Sequence, residues 1–289
     1  MSETINTATT ASSLSDTSTW LPLDGLAPGF DANKGPSVAD LAGRTVVVEN
    51  PGGTVITHRF GPDRVDWDYA AAPDDPHGDE QGADDYEAFA VDDELYYVQF
   101  HSQVRPGDAV SLLLDMRSGH ALSVVTTIGS DPTAVPRVTQ SFVAGRIRGV
   151  DENGPAPAPT TSLVGRRAVW VYSSEHAYEH VYLSPHWYTW QCLSGPELGL
   201  ADTDENSTYQ LRPGIYVFAW REKVIPCASV TVADHRDAHR LRSHGVLFGL
   251  DSTGQAPTHF TFGAWGRLLS TTVHPPGLDP AGPAAAQES

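Results

Sequence analysis

From Leu41 onward the chain alternates short β-branched or aromatic runs with turn residues, the rhythm of strands rather than helices. RTVVVEN and TVITHRF flank Asn50-Pro51-Gly52-Gly53, a hairpin signal. RVDWDY then leads into Ala70–Asp85, an acidic stretch rich in Pro, Gly and Asp that is expected to be an exposed, mobile loop. YEAFAV, ELYYVQF, AVSLLLDM and ALSVVTTI follow, each closed by charged or glycine turns, and SFVAGRIRG completes the set. Residues 151–161, beginning DENGPAPAPT, read as a Pro-rich connector, after which the pattern starts again.

The recurrence holds residue by residue. Leu41-Ala42-Gly43-Arg44 returns as Leu163-Val164-Gly165-Arg166, Pro62 and Trp67 as Pro185 and Trp190, and Leu95-Tyr96 as Ile215-Tyr216. Phe100 and Val104-x-Pro106 return as Trp220 and Val224-x-Pro226. The separation drifts only from 123 (Trp67 to Trp190) to 120 (Phe100 to Trp220), which indicates an internal duplication. Each half has roughly eight short antiparallel strands, the spacing of a small closed barrel that leaves no edge exposed. The expected fold is therefore all-β, with two tandem antiparallel β-barrels over residues 38–150 and 162–270. Residues 1–37, rich in Ser and Thr, are expected to form a mobile tail with at most a short docked piece near Trp20–Leu26, and 271–289 a second tail.

Composition narrows the partners. With 26 glycines and 22 prolines the chain favours turns over long helices, and a net charge of −18 argues against a sequence-independent nucleic-acid partner or an anionic membrane. The N-terminus lacks the basic and apolar regions of a secretory signal, and no run is long enough to cross a bilayer. The two cysteines, Cys192 and Cys227, suit a reducing cytoplasm and read as buried free thiols. A small molecule is the expected partner, with a homodimer left open.

Candidate chemistry lies where the two halves differ. Val55-Ile56-Thr57 aligns with Tyr178-Glu179-His180, and His101-Ser102-Gln103 with Arg221-Glu222-Lys223. Alternation puts Tyr178, His180 and Tyr182 on one strand face, and Tyr216, Phe218, Trp220 and Glu222 on another. If that aromatic face points inward, Glu222 sits in a barrel with a raised pKa suited to acid or base work; if the other does, Arg221 and Lys223 can clamp an anion. Solvated strand-end charges and a hydrogen-bonded Tyr178/His180 core pair are the plain alternatives. Glu197 and Asp202, in a loop able to cap a barrel mouth, are candidate contacts, with solvated turn acids as the competing reading. His176 and His180 lie about 13 Å apart along a strand, too far for one metal ion, and His235, His239 and His244 read as solvent-facing. No metal site and no cofactor are expected.

YEHVYLSPHWYTWQCLSGPELGLADTD and YVFAWREKVIPC resemble the molybdenum cofactor biosynthesis protein F family. The likeness extends more loosely over about residues 38–270, through the Leu-x-Gly-Arg starts and Tyr86-Glu87-Ala88. It implies that both barrels are lipocalin-like (calycin), and it carries Tyr178, Glu179, His180, Trp190, Cys192, Glu197, Asp202, Trp220, Arg221, Glu222, Lys223 and Cys227 as motif residues without assigning them roles. Phenolic acid decarboxylases are similar in architecture alone. Two functions remain. One is a cofactor-independent lyase, isomerase or cyclase acting on a small unsaturated or aromatic acid or ketone in the C-terminal barrel. Its catalytic residues would be Glu222, His180 and Tyr178, and its substrate would meet Tyr182, Trp190, Glu197, Trp220, Arg221 and Lys223. The other is a non-catalytic small-ligand-binding or accessory protein linked to molybdenum cofactor biosynthesis.

Overall fold

The computed structural model describes residue 17 and residues 20–282. Strands β1 Thr45–Glu49, β2 Val55–Phe60, β3 Arg64–Ala70, β4 Glu80–Asp92, β5 Leu95–His101, β6 Asp108–Asp115, β7 His120–Ile128 and β8 Val138–Ile147 follow one another as an antiparallel meander. Pairing of β1 with β8 closes the barrel. A two-residue strand, β9 Ala158–Pro159, precedes the second meander: β10 Arg166–Val171, β11 Ala177–Tyr182, β12 Trp187–Ser194, β13 Ala201–Arg212, β14 Ile215–Arg221, β15 Cys227–Asp234, β16 Leu241–Leu250 and β17 Pro257–Thr271. Here β10 pairs with β17 and β12 with β13, so the second set also closes, and β9 lies along β13. The chain is thus two lipocalin-like up-and-down barrels in tandem, as the duplicated pattern requires. Among the described residues no helix is long and apolar enough to cross a membrane.

Three hydrophobic clusters organise the molecule, one inside each barrel and one between them. The third packs Phe89, Tyr97, Leu113, Leu122 and Val124 of the first barrel against Ile215, Val217, Val230, Val232 and Val246 of the second. This explains why β14 is buried at every position, Ile215 to Arg221: one face fills its own barrel and the other meets the neighbour. Beside this seam the buried Arg212 guanidinium donates to both Asp115 carboxylate oxygens at 2.8 Å and to Asp92 at 2.7 Å.

Three sequence expectations need correction. The stretch assigned to an acidic mobile loop ends at Asp79, because Glu80–Asp85 begins β4 and pairs with β3. Asp84 is fully buried there, since the Trp67 indole inside the barrel needs an acceptor and donates to it at 2.7 Å. His235 and His244 are buried rather than solvent-facing: His244 lies in β16, which continues the second barrel through Leu241–Leu250, and His235, just past β15, packs on Trp170 and Tyr216. From Trp20 the expected tail is a strap packed on the other barrel. Leu23 and Leu26 of helix α1 (Leu23–Leu26), together with Phe30, join the core of the C-terminal barrel, and Asn33 donates from its backbone and side-chain amides to Tyr172 and Val171 carbonyls. Gly29 turns the strap with φ +88°, and a Cβ there would come within 3.1 Å of the His176 ring.

Candidate functional site

In an up-and-down barrel alternate loops open at the same end, so the β10–β11, β12–β13, β14–β15 and β16–β17 loops gather at one mouth of the C-terminal barrel. The strap crosses that mouth. Trp20 meets Trp190 edge-on at 5.4 Å, Phe30 lies 4.6 Å from the His176 ring, and Asp24 accepts a bond from Ser252 at 2.9 Å. Beneath it is a cavity of about 60 Å³ walled by aromatic side chains, with Glu197, Glu222 and His180 as its polar members.

The aromatic faces point inward. Of the residues singled out in the sequence, Tyr178, His180, Trp190, Glu197, Trp220 and Glu222 line this cavity. Tyr182 does not: it lies among the core residues, against Phe218 at 5.0 Å. Arg221 and Lys223 are also outside, so neither clamps a ligand here. Arg221 points from the opposite face of β14 towards the first barrel, meeting Gln140, Ser207 and Glu205 at 3.1 to 3.3 Å. Lys223 bonds the Thr203 carbonyl and Asp202, the latter at 2.7 Å. Glu179 is on the outer face of its strand, paired with Arg167.

His180 sits in an aromatic cage, 5.3 Å from Tyr188 and 5.8 Å from Trp220. Burial pushes its pKa down to about 3, so the ring is neutral near pH 7, and its Nδ1 has no partner. The strand register makes His58 its true counterpart, because His58 faces Trp67 as His180 faces Trp190. The sequence alignment had set Thr57 against His180, one residue out. Both copies therefore carry this histidine, which makes it part of the repeated scaffold.

Glu222 has no such counterpart: Ser102 stands at the equivalent place. Its Oε1 accepts from the Trp220 indole at 2.7 Å, and Oε2 is shielded from solvent. Beside it lies Asp204, fully buried, whose Oδ2 accepts from the Trp190 indole at 2.9 Å. Desolvation first, then the neighbouring Asp204 carboxyl, raises the Glu222 pKa well above the usual carboxylate range. Glu197 is also buried rather than solvated. It accepts from Tyr178 at 2.8 Å through Oε2 and leaves Oε1 unpartnered, and desolvation raises its pKa against the pull of Tyr178 and the Leu21 backbone amide. Among the described residues no group of three or more His, Cys, Asp and Glu is placed to hold a metal ion.

Asp204, Tyr172, Tyr188 and the strap residues Trp20 and Phe30 were not among the sequence candidates, and Cys227 stood there only as a motif residue without a role. Asp204 had a usable signal, since Asp84 and Asp204 repeat at the same separation of 120 as Phe100 and Trp220.

Comparison with known proteins places this architecture. Residues 18–130 match the MoaF N-terminal domain and residues 157–272 the MoaF C-terminal domain. Protein MoaF of Klebsiella aerogenes is 30% identical over 202 residues, covering 65% of this chain and 75% of that protein. The chain belongs to the MoaF family. Both MoaF domains are represented, and the first match takes in the strap, so a segment classed with the N-terminal domain closes the barrel of the C-terminal one. A solved protein from Burkholderia vietnamiensis, provisionally titled a beta-lactamase, aligns over 39% of this chain and 100% of its own at 12% identity and a TM-score of 0.32.

Proposed function

We propose that the C-terminal barrel is a cofactor-independent proton-transfer site, a lyase or isomerase acting on a small unsaturated or aromatic acid or ketone. The supporting observation is a pair of buried carboxyl groups on one aromatic cavity with different surroundings: Glu222 beside another acid, and Glu197 beside a hydroxyl donor. Environments that separate two pKa values assign acid and base roles. Glu222, the more strongly raised, donates its proton to a carbonyl oxygen. Glu197 takes the carbon-bound proton through its free Oε1, and the C–H electron pair becomes the new C=C bond of the enol. Returning a proton to a different carbon completes an isomerisation. Tyr178 orients Glu197, Trp220 fixes Glu222, Trp190 fixes the neighbouring Asp204, and neutral His180 offers a hydrogen bond rather than a proton.

The test is exchange of the α-hydrogens of acetophenone for deuterium in D2O, followed by proton NMR. The wild-type protein is expected to exceed buffer, and Glu222→Gln to lose about 10²- to 10⁴-fold of that excess. Equal exchange by both proteins rejects the reading.

Binding without turnover is the second reading, favoured by the strap, because a covered ligand leaves slowly. Family membership supports a link to molybdenum cofactor biosynthesis, with an intermediate of that pathway as ligand. Native mass spectrometry of freshly purified protein tests it: a retained small molecule with no product formation supports this reading, and an empty barrel opposes it.

A further inference from the structure

The two barrels solve one problem in different ways. In each, a tryptophan inside the barrel donates its indole N–H to a buried aspartate: Trp67 to Asp84 at 2.7 Å and Trp190 to Asp204 at 2.9 Å. In the first barrel the second carboxylate oxygen of Asp84 accepts the backbone N–H of Gln103 at 2.8 Å, so the acid is satisfied as an anion. In the second, the following loop is one residue shorter: the Ser102-to-Asp108 backbone bond becomes a Glu222-to-Cys227 bond. Glu222 replaces Ser102, and Asp204 Oδ1 is left buried with no donor within hydrogen-bond distance.

Glu222 Oε2 is equally buried and equally without a donor, and the β13–β14 register, which pairs Glu205 with Arg221, sets Asp204 and Glu222 side by side. Carboxylate oxygens only accept, so two of them can meet only if one carries a proton. Each outer oxygen is already pinned by an indole. Lys223 Nζ is 3.7 Å from Asp204 Oδ1, on the side away from the cavity that Glu222 lines. We propose that Asp204 and Glu222 form a carboxyl dyad sharing one proton, with the negative charge held on Asp204 by Trp190 and Lys223 and the proton presented to the cavity by Glu222. Burial raises both groups, but Asp204 raises Glu222 further while Glu222 and the Trp190 indole lower Asp204, in keeping with this placement of the proton.

The dyad deepens the proton-transfer reading and rests on it for one point, the ligand class. A buried monoanionic pair beside the cavity, with Arg221 and Lys223 outside its walls, disfavours a carboxylate ligand and favours a neutral hydrogen-bond acceptor such as a ketone or enone. Of the acids and ketones considered above, ketones are therefore the match.

The proton itself can be tested on the ligand-free protein by infrared difference spectroscopy. A protonated-carboxyl C=O band, sensitive to D2O, is expected near neutral pH. It should vanish in Glu222→Gln, titrate at lower pH in Asp204→Asn because the neighbouring charge is gone, and persist in Glu197→Gln. Absence of the band in the wild type, or its survival unchanged in both dyad variants, overturns the dyad. If Asp204→Asn does not fold, carbon NMR of 13C-labelled wild type decides: two carboxyl resonances must titrate together, and independent titration overturns the proposal. For the ligand class, acetophenone is expected to bind about tenfold or more tightly than benzoate. No binding of acetophenone, or benzoate binding at least as well, overturns that choice. Because the spectroscopy uses no ligand, failure of the dyad and failure of the proposed reaction are separable.

Discussion

An indole N–H enclosed in a barrel must find an acceptor, and this need explains why acids sit at the centre of a molecule whose interior is otherwise aromatic. Trp190→Phe removes the donor to Asp204 Oδ2 with little change of shape. It is expected to cost about 1–3 kcal/mol by leaving a buried acceptor unpaired, as measured by urea denaturation. Strand alternation made much of this centre legible, because it placed Tyr178, His180, Trp220 and Glu222 on faces that do point inward. Asp204 was hidden in the acidic run Asp202–Glu205, which reads as solvated; its repeat with Asp84 and its bond to the Trp190 indole set it apart. Arg221 was ambiguous for the opposite reason. Alternation within a strand says which residues share a face, but not that a second barrel covers the outer one.

Among the elements, the strap has the weakest sequence signal and the most direct hold on the cavity. LPLDGLAPGF is too short and too rich in Pro and Gly to show a period, and nothing in it indicates which barrel it will cover. Docking follows from the mouth it meets: Leu23, Leu26 and Phe30 complete a core that the strands leave open. Phe30→Ala is expected to destabilise the protein by about 3–5 kcal/mol, read from the thermal midpoint, and to enlarge the cavity. The existing space of about 60 Å³ is small beside the roughly 150 Å³ that admits benzene in an engineered apolar cavity. Acetophenone is therefore expected to enter with displacement of the strap, and amide hydrogen exchange over residues 20–30 should quicken when it binds. An unchanged exchange pattern on binding would remove the strap from the entry path.

Across the whole molecule, the duplication and the strand order were readable from the sequence, but the seam between barrels was not. Its residues sit on strand faces that look the same whether they meet solvent or a neighbour until the partner is known. Arg212 is the seam's polar centre, and Arg212→Ala takes the guanidinium from buried Asp115, while Asp92 keeps Arg236 at 3.1 Å. A loss of about 3–5 kcal/mol is expected in denaturant unfolding, because a buried charge loses its partner. Burial also holds the pKa of His58 down to about 4 and those of His101, His180, His235 and His244 to about 3. Unfolded, these five protonate below about pH 6.5, so folding loses stability as pH falls from there towards their folded values. The Glu222–Asp204 pair acts oppositely, since it keeps about one proton in the fold that the unfolded chain releases above about pH 4.3. Five against one leaves about four protons, or about 5 kcal/mol per pH unit, so the thermal midpoint is expected to fall steeply between about pH 6 and 5. A flat profile there would show that these histidines are not held neutral. The strap also sets an order of assembly. Asp24 bonds Ser252, 228 residues along the chain, and Lys34 bonds Thr261, 227 along. During synthesis this apolar segment emerges early and must wait for the last strands before it has a surface to cover, so pulsed hydrogen exchange should find it the last part of the protein to become protected.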